Sequence, residues 1–147
     1  METFNNDDVL DVLTGMVSER IKRPFYQACT REGIDISVDE CLVLNCLSVQ
    51  DKVSQLTLCN HINKDKPAMT RLLDRMENKR LVKRTMDEAD KRKNRVSITS
   101  NGMQVCNRVN ELVTGIINNA MQNIDESQFM VFRNVHRLML NNLSLVK

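Results

Sequence analysis

One stretch of this chain, residues 64–99, constrains the fold more than any other, because a helical pattern turns there directly into a strand pattern. Four apolar residues at spacings of three and four predict a helix with one buried face. Asp65 suits the N-cap of that helix, and Pro67 falls in its first turn, where a missing N–H costs little. The four apolar residues are Met69, Leu72, Leu73 and Met76.

The residues after this helix change to the period of two that is typical of strands. Segments 81–86 and 94–99 predict two strands, joined by a charged tip at residues 87–93. A helix followed at once by a long basic hairpin predicts a winged helix-turn-helix, in a chain that is otherwise mainly α. A shorter helix with Ser54 as its N-cap supplies the first helix of that motif.

Positive charge is concentrated in the same stretch. Residues 64–95 contain twelve Lys or Arg against six Asp or Glu, a net charge of +6, whereas the whole chain carries +2. The remainder therefore sums to −4. A charged stretch alone is more often only a solvated surface, but here it coincides with a helix and a hairpin that suit adjacent grooves, which predicts a nucleic-acid partner.

The segments DKPAMTRLLDRMENKRLVKR and DEADKRKNRVSITSNG resemble the recognition helix and wing of the MarR family of bacterial transcription regulators. Two residues depart from the family pattern. Met69 replaces the usual Val, which is a mild change, and Arg80 stands where a Gly normally ends the helix. This leaves open whether the left-handed cap of the helix lies at residue 80 or at Asn78.

The resemblance implies one MarR-like subunit over residues 1–147, with its DNA-binding part at about 37–99. Helices at about 7–30 and 100–147 are implied to pair two subunits into a homodimer. Such a dimer binds double-stranded DNA at a pseudo-palindromic operator, with each recognition helix in a major groove. A small lipophilic or phenolic effector that changes DNA binding is implied as well, and no residues are assigned to its pocket.

The candidate DNA-binding residues follow from the same comparison. Ser54 and Arg95 are included at the edges of the motif. In the wing, the family's D-x-R corresponds to Asp90 orienting Arg92 toward a minor groove. Candidate phosphate contacts are Lys64, Lys66, Arg84, Lys91 and Lys93. Candidate residues of the groove face are Pro67, Ala68, Thr70, Arg71 and Arg75.

The other helices are predicted from apolar periodicity and caps. Ser37 and Glu40 form a capping box at the start of a second helix, and Asp125 with Gln128 starts the last one. The two helices after the DNA-binding part have more apolar surface than that part needs. They could simply cover their own core, but the resemblance to the family favours a dimer interface. Predicted packing positions are Cys41, Leu42, Leu44, Cys46 and Leu47 in the second helix, and Leu56, Leu58, Cys59 and Ile62 in the third.

Composition excludes several classes of protein. Apolar content of 41% with 27% charged residues is typical of a globular chain, and the longest apolar run is too short for a membrane span. No leader precedes Asp7, and five unpaired Cys suit a reducing compartment, so we expect a cytoplasmic protein without disulfides. We identify no catalytic constellation, cofactor motif or complete metal site, since Cys59 and His61 lack further ligands.

Two alternatives remain open. The winged helix could serve protein–protein contact, which an acidic or apolar recognition face would favour. A regulator of this type could also sense oxidants through a cysteine of lowered pKa, for which Cys29 near Tyr26 and Arg31 is the best candidate. Buried, unreactive cysteines are far commoner than sensors of this kind.

Overall fold

The computed structural model describes residues 15–86 and 94–144 of the chain. The predicted helical residues 7–14 and the wing-tip residues Asp90, Lys91, Arg92 and Lys93 lie outside this described part. The elements in chain order are α1 Met16–Arg31, α2 Val38–Val49, β1 Val53–Ser54, α3 Gln55–His61, α4 Lys66–Asn78, β2 Val82–Met86, β3 Asn94–Ile98, α5 Ser100–Ala120 and α6 Glu126–Ser144. The prediction of a mainly helical fold with a small β wing is confirmed.

Helix α4 is built as its sequence predicts. The Asp65 carboxylate accepts a hydrogen bond from the Ala68 N–H at 2.7 Å, and Pro67 lies in the first turn. All four residues of the apolar face are at most 1% exposed. Burying side chains of this size stabilises the fold by about 1.5–3 kcal/mol each, so this face fixes the rotation of the helix about its axis.

The left-handed cap at the end of α4 does not lie at Asn78, which remains helical. Arg80 itself adopts the left-handed conformation, with φ 56°. Its N–H donates to the Glu77 carbonyl and the Leu81 N–H donates to the Met76 carbonyl, at 2.8 and 2.9 Å. These two bonds form a Schellman cap, in which the position after the C-cap residue normally holds Gly. The requirement of the cap therefore prevails over the preference of Arg for negative φ.

A three-stranded antiparallel sheet follows, in the order β1-β3-β2. Val82 pairs with Ile98 and Met86 pairs with Asn94, so the two long strands form the predicted hairpin. The short β1 adds Val53 opposite Val96 on the other side of β3. The sheet thereby ties the residues before α3 to the strand that follows the wing tip.

Helix α5 begins so close to this sheet that only glycine fits at residue 102. A Cβ at that position would lie 2.0 Å from the Leu81 carbonyl oxygen. The Gly102 N–H donates to the Thr99 hydroxyl at 2.9 Å, which caps the start of the helix. Gly115 in the same helix has no atom within 4 Å of an added Cβ.

The capping box of α2 is confirmed, since Ser37 and Glu40 exchange both hydrogen bonds. Two predicted packing positions are wrong, because Leu42 is 44% exposed and Leu56 is 68% exposed. Cys46 and Ile62 are only half-buried but pack against the core. Val43, which the prediction omits, is fully buried. The reason is that α2 has apolar residues on most of its circumference, so spacing alone cannot select the face that packs.

The chain divides into two compact units, one up to Ile116 and one from Ile117 onward. In the second unit, Asp125 and Gln128 form the predicted cap of α6, with bonds of 2.9 and 3.0 Å. Many apolar side chains of α6 are exposed. They are Phe129, Met130, Val131, Phe132, Val135, Leu138, Met139, Leu140 and Leu143. Within the described residues, no helix combines the length and apolar character that crossing a bilayer requires.

Replacing Gly102 by Ala is expected to destabilise the protein by about 2–3 kcal/mol, because the backbone at Leu81 must move to admit the methyl group. Gly115→Ala is the matched control in the same helix, and it is expected to stabilise by about 0.5–1 kcal/mol. Urea unfolding followed by circular dichroism measures both. Equal effects of the two substitutions would contradict the close approach at residue 102.

Arg80→Gly is expected to stabilise the protein by about 0.5–1 kcal/mol. The left-handed conformation costs a residue with a side chain about 1–2 kcal/mol, and Gly avoids this cost. Part of the resulting stabilisation is lost because Gly has more conformational freedom in the unfolded chain. Asn63→Gly is the control, since Asn63 has φ 52° but Asn tolerates this region. We expect its unfolding free energy to change by only a few tenths of a kcal/mol; a larger gain there than at residue 80 would refute the assignment of strain.

Candidate nucleic-acid interface

The face of α4 opposite its buried stripe is exposed and basic. Lys66, Pro67, Arg71 and Arg75 are exposed, and Ala68 and Thr70 are half-buried. Within the described residues, the side chains of Lys66 and Arg71 form no hydrogen bond or ion pair. An unengaged guanidinium on an exposed helix face is free to bind a phosphate or the edge of a guanine base.

Helix α3 supports the first turns of α4. The Gln55 side-chain amide donates to the Thr70 hydroxyl at 2.7 Å, and that hydroxyl donates to the Lys66 carbonyl at 2.9 Å. Ser54 caps α3 by accepting a hydrogen bond from the Thr57 N–H at 3.1 Å. Thr70 therefore has a bonded position beside Arg71, while its predicted role in the groove face stays a prediction.

The base of the wing is locked to α4 by Arg84. Its guanidinium donates to Glu77 through Nε at 2.9 Å and pairs with Asp74 and Glu77 through Nη2, and its backbone N–H donates to Glu77 at 2.8 Å. The hydrogen bonds from Arg84 lower the pKa of the Glu77 carboxyl, and the bond to Glu77 raises the pKa of Arg84. The charge of Arg84 is thus balanced inside the subunit, so phosphate contact by this residue stays a prediction.

Two other predicted cations are also engaged. Lys64 pairs with Asp39 at 2.9 Å, which links the turn before α4 to α2. Arg95 lies exposed on β3 and donates to the Lys52 carbonyl at 3.3 Å. Sequence reasoning missed Gln55, Asp74, Glu77 and Asp39 as supporting residues, because ion-pair partners that lie on other elements leave no spacing signal.

A known protein family matches the part of the chain that holds this basic face. The model of the MarR family matches residues 36–93, which contain α2, the helix-turn-helix and the first strand of the wing. The chain carries a MarR-type winged helix-turn-helix. The prediction drawn from the recognition-helix and wing motifs is confirmed.

Three solved structures show the fold over almost the whole chain. A mutant of MarR from E. coli, complexed with operator DNA, is 23% identical with a TM-score of 0.80, covering 95% of this chain and 99% of that one. MepR from S. aureus in a DNA complex is 20% identical with a TM-score of 0.79 and the same coverage. A MarR-family regulator from Silicibacter pomeroyi is 23% identical with a TM-score of 0.75, covering 92% of this chain and 90% of that one.

The cysteines of the described residues are mostly buried. Cys29 and Cys106 are each 2% exposed, and burial raises the pKa of both thiols. Burial also raises the pKa of Cys41, to about 12. A sensing thiol needs a lowered pKa, so the structure lends no support to Cys29 as an oxidant sensor. The described residues contain no group of three or more His, Cys, Asp or Glu placed to hold a metal ion.

Proposed function

We propose that this protein is a sequence-specific, double-stranded-DNA-binding transcription regulator. The observation that carries the proposal is the exposed basic face of α4, rotated outward by its buried stripe, with Arg71 unengaged at its centre. Support comes from the MarR mutant and MepR, which have the same fold and whose structures are DNA complexes. The protein is proposed to act as a regulator rather than an enzyme, in the cytoplasm.

In this proposal, α4 enters a major groove and the wing approaches the neighbouring minor groove. Arg71 is assigned to a base edge and Lys66 to a phosphate. At the wing tip, Arg92 is proposed as the minor-groove contact, oriented by Asp90 as in the family motif. Lys91 and Lys93 are proposed to contact phosphates. Ser54, Lys64, Pro67, Ala68, Thr70, Arg75, Arg84 and Arg95 complete the proposed DNA-binding set.

We further propose a homodimer that binds a pseudo-palindromic operator and responds to a small effector. The DNA-binding part comprises about residues 37–99, and the helices at about 7–30 and 100–147 form the dimer interface. The exposed apolar residues of α6 support this assignment, because a monomer seldom exposes so many large apolar side chains on one helix. Two-fold symmetry then matches two half-sites about one turn of DNA apart.

A protein–protein winged helix is the rival function. Such a contact would favour an apolar or acidic recognition face, whereas the exposed face of α4 carries Lys66, Arg71 and Arg75. A thiol-based sensor is disfavoured by the burial of Cys29. DNA binding is therefore the function that the described residues support best.

Replacing Arg71 by Ala is expected to weaken binding to a duplex selected from a random pool by about 1–3 kcal/mol, while binding to random duplex changes less. The reason is that a base contact contributes to specificity, whereas a phosphate contact contributes equally on all sequences. Arg31→Ala is the matched control, since it removes an exposed Arg from the end of α1 and is expected to leave both affinities within twofold. Titrations at two salt concentrations measure the affinities.

For the wing, Arg92→Ala is expected to weaken binding to both duplexes and to reduce the salt dependence. Asp90→Ala is expected to resemble it, because Arg92 loses its support. Tighter binding by Asp90→Ala would show that Asp90 is only a repulsive charge. If Arg71→Ala weakened binding to the selected and the random duplex equally, Arg71 would not contact a base edge.

Sedimentation at micromolar concentration is expected to give about 34 kDa, twice the 17.0 kDa of one chain. Val135→Glu is expected to lower this mass toward that of the monomer, because it places a charge among the exposed apolar residues of α6. Asn134→Glu is the control on the neighbouring polar face and is expected to remain dimeric. A wild-type monomer that binds DNA tightly would refute the dimer but not the DNA-binding function.

A further inference from the structure

The side chain of Thr70 in α4 is held from two directions within the subunit. Its hydroxyl oxygen lies 2.9 Å from the carbonyl oxygen of Lys66, one turn earlier in α4, and 2.7 Å from the side-chain amide nitrogen of Gln55. The same amide nitrogen lies 3.4 Å from the Lys66 carbonyl oxygen. Gln55 is the first residue of α3, so the first helix of the motif fixes a side chain on the proposed recognition helix.

The chemistry of these groups sets the direction of each hydrogen bond. A carbonyl oxygen only accepts, so the Thr70 hydroxyl donates its single proton to Lys66. An amide nitrogen only donates, so Gln55 occupies one of the two lone pairs of the hydroxyl. Thr70 therefore has no donor left for phosphate oxygens or for the acceptors of the major groove, which are thymine O4, guanine O6 and N7, and adenine N7.

Gln55 also selects the rotamer of Thr70. A threonine in a helix divides between two χ1 rotamers, and its methyl group points in a different direction in each. The bond from Gln55 favours the rotamer in which the hydroxyl has both of its partners. The methyl group of Thr70 therefore has one direction, which a side chain of α3 maintains.

We propose that Gln55 is a positioning residue, which holds Thr70 so that its methyl group contacts the 5-methyl group of a thymine in the major groove. This inference rests on the proposed function, because it concerns which base the exposed face of α4 reads. Thr70 is half-buried, and the part of it that is engaged within the subunit is its hydroxyl. Contact between a threonine methyl and the thymine methyl is one of the ways in which a side chain recognises a base edge.

The probe is a duplex selected from a random pool, in which each thymine is replaced in turn by deoxyuridine, which lacks only the 5-methyl group. We expect one such replacement in a half-site to weaken binding by the wild-type protein about threefold to fivefold, as removal of one buried methyl group does. The other thymines are the internal control for the effect of uracil on the duplex itself. This series needs no protein variant.

Two nearly isosteric variants separate the methyl group of Thr70 from its hydroxyl. Thr70→Val keeps a methyl group and removes the hydroxyl, and is expected to keep the preference for thymine over uracil. Thr70→Ser keeps the hydroxyl and removes the methyl group, and is expected to abolish that preference. Thr57→Ser is the matched control, since it removes the same group from an exposed threonine of α3, and it is expected to keep the wild-type preference.

The role of Gln55 is tested by Gln55→Met, which has nearly the same shape but cannot donate a hydrogen bond. We expect it to reduce the preference for thymine to about half or less, because Thr70 then divides between both rotamers. In the Thr70→Val background, the same substitution is expected to leave the preference unchanged, because valine has one strongly preferred rotamer in a helix. A purely structural role of Gln55 would weaken binding to the thymine and uracil duplexes equally and leave their ratio unchanged.

Circular dichroism establishes that each variant is folded before the titrations are compared. The inference is overturned if no thymine responds to replacement by uracil, if Thr70→Ser keeps the preference, or if Gln55→Met leaves it unchanged. Loss of the preference in Thr70→Val would also overturn it, because the hydroxyl would then be the group that reads the base. In all four cases the wild type still binds the selected duplex more tightly than random DNA, so the proposed function stands. A wild type that does not distinguish these two duplexes refutes the proposed function, and this inference with it.

Discussion

The buried stripe of α4 is the interaction on which the rest of this structure depends. Met69, Leu72, Leu73 and Met76 are all at most 1% exposed, and together they bury enough apolar surface to stabilise the subunit by several kcal/mol. Because side chains on a helix are fixed relative to one another, burying this stripe leaves only one rotation for α4. Arg71 then has to face away from the core.

Three polar connections hold α4 in place along its length. Gln55 bonds Thr70 near its start, Arg84 joins Asp74 and Glu77 to the wing, and Lys79 at its end reaches the connection between α1 and α2. Ion pairs with exposed members contribute little to stability, but each has a defined partner on a different element. Their main effect is therefore positional. The helix and the wing keep a fixed relation, which two groove contacts at once require.

The sequence was sufficient for α4 and its hairpin because burial there follows one clear period, and caps such as Asp65 are local in sequence. Prediction from sequence failed where a residue's environment depends on residues in other elements. Leu42 and Val43 are neighbours of similar apolarity, and only the packing partners of α2 decide that Val43 is buried. Arg80 takes a left-handed conformation because the cap bonds of the whole turn require it. The partners of Arg84 lie seven and ten residues away, on another element.

These ion pairs also change what the net charge of the basic stretch means. Counting residues gives +6 between residues 64 and 95. Lys64 pairs with Asp39, and Lys79 pairs with Asp35 and Glu40, three carboxylates that lie outside that stretch. Arg84 pairs with Asp74 and Glu77 inside it. Each phosphate that a free cation neutralises contributes about −0.9 to the slope of log affinity against log salt. A cation that already has a carboxylate partner must exchange that partner for the phosphate, which reduces its net contribution. In the proposed complex, we therefore expect the salt dependence of DNA binding to follow the phosphate-contacting cations that folding leaves unmatched, such as Lys66, and not the number of basic residues in the sequence.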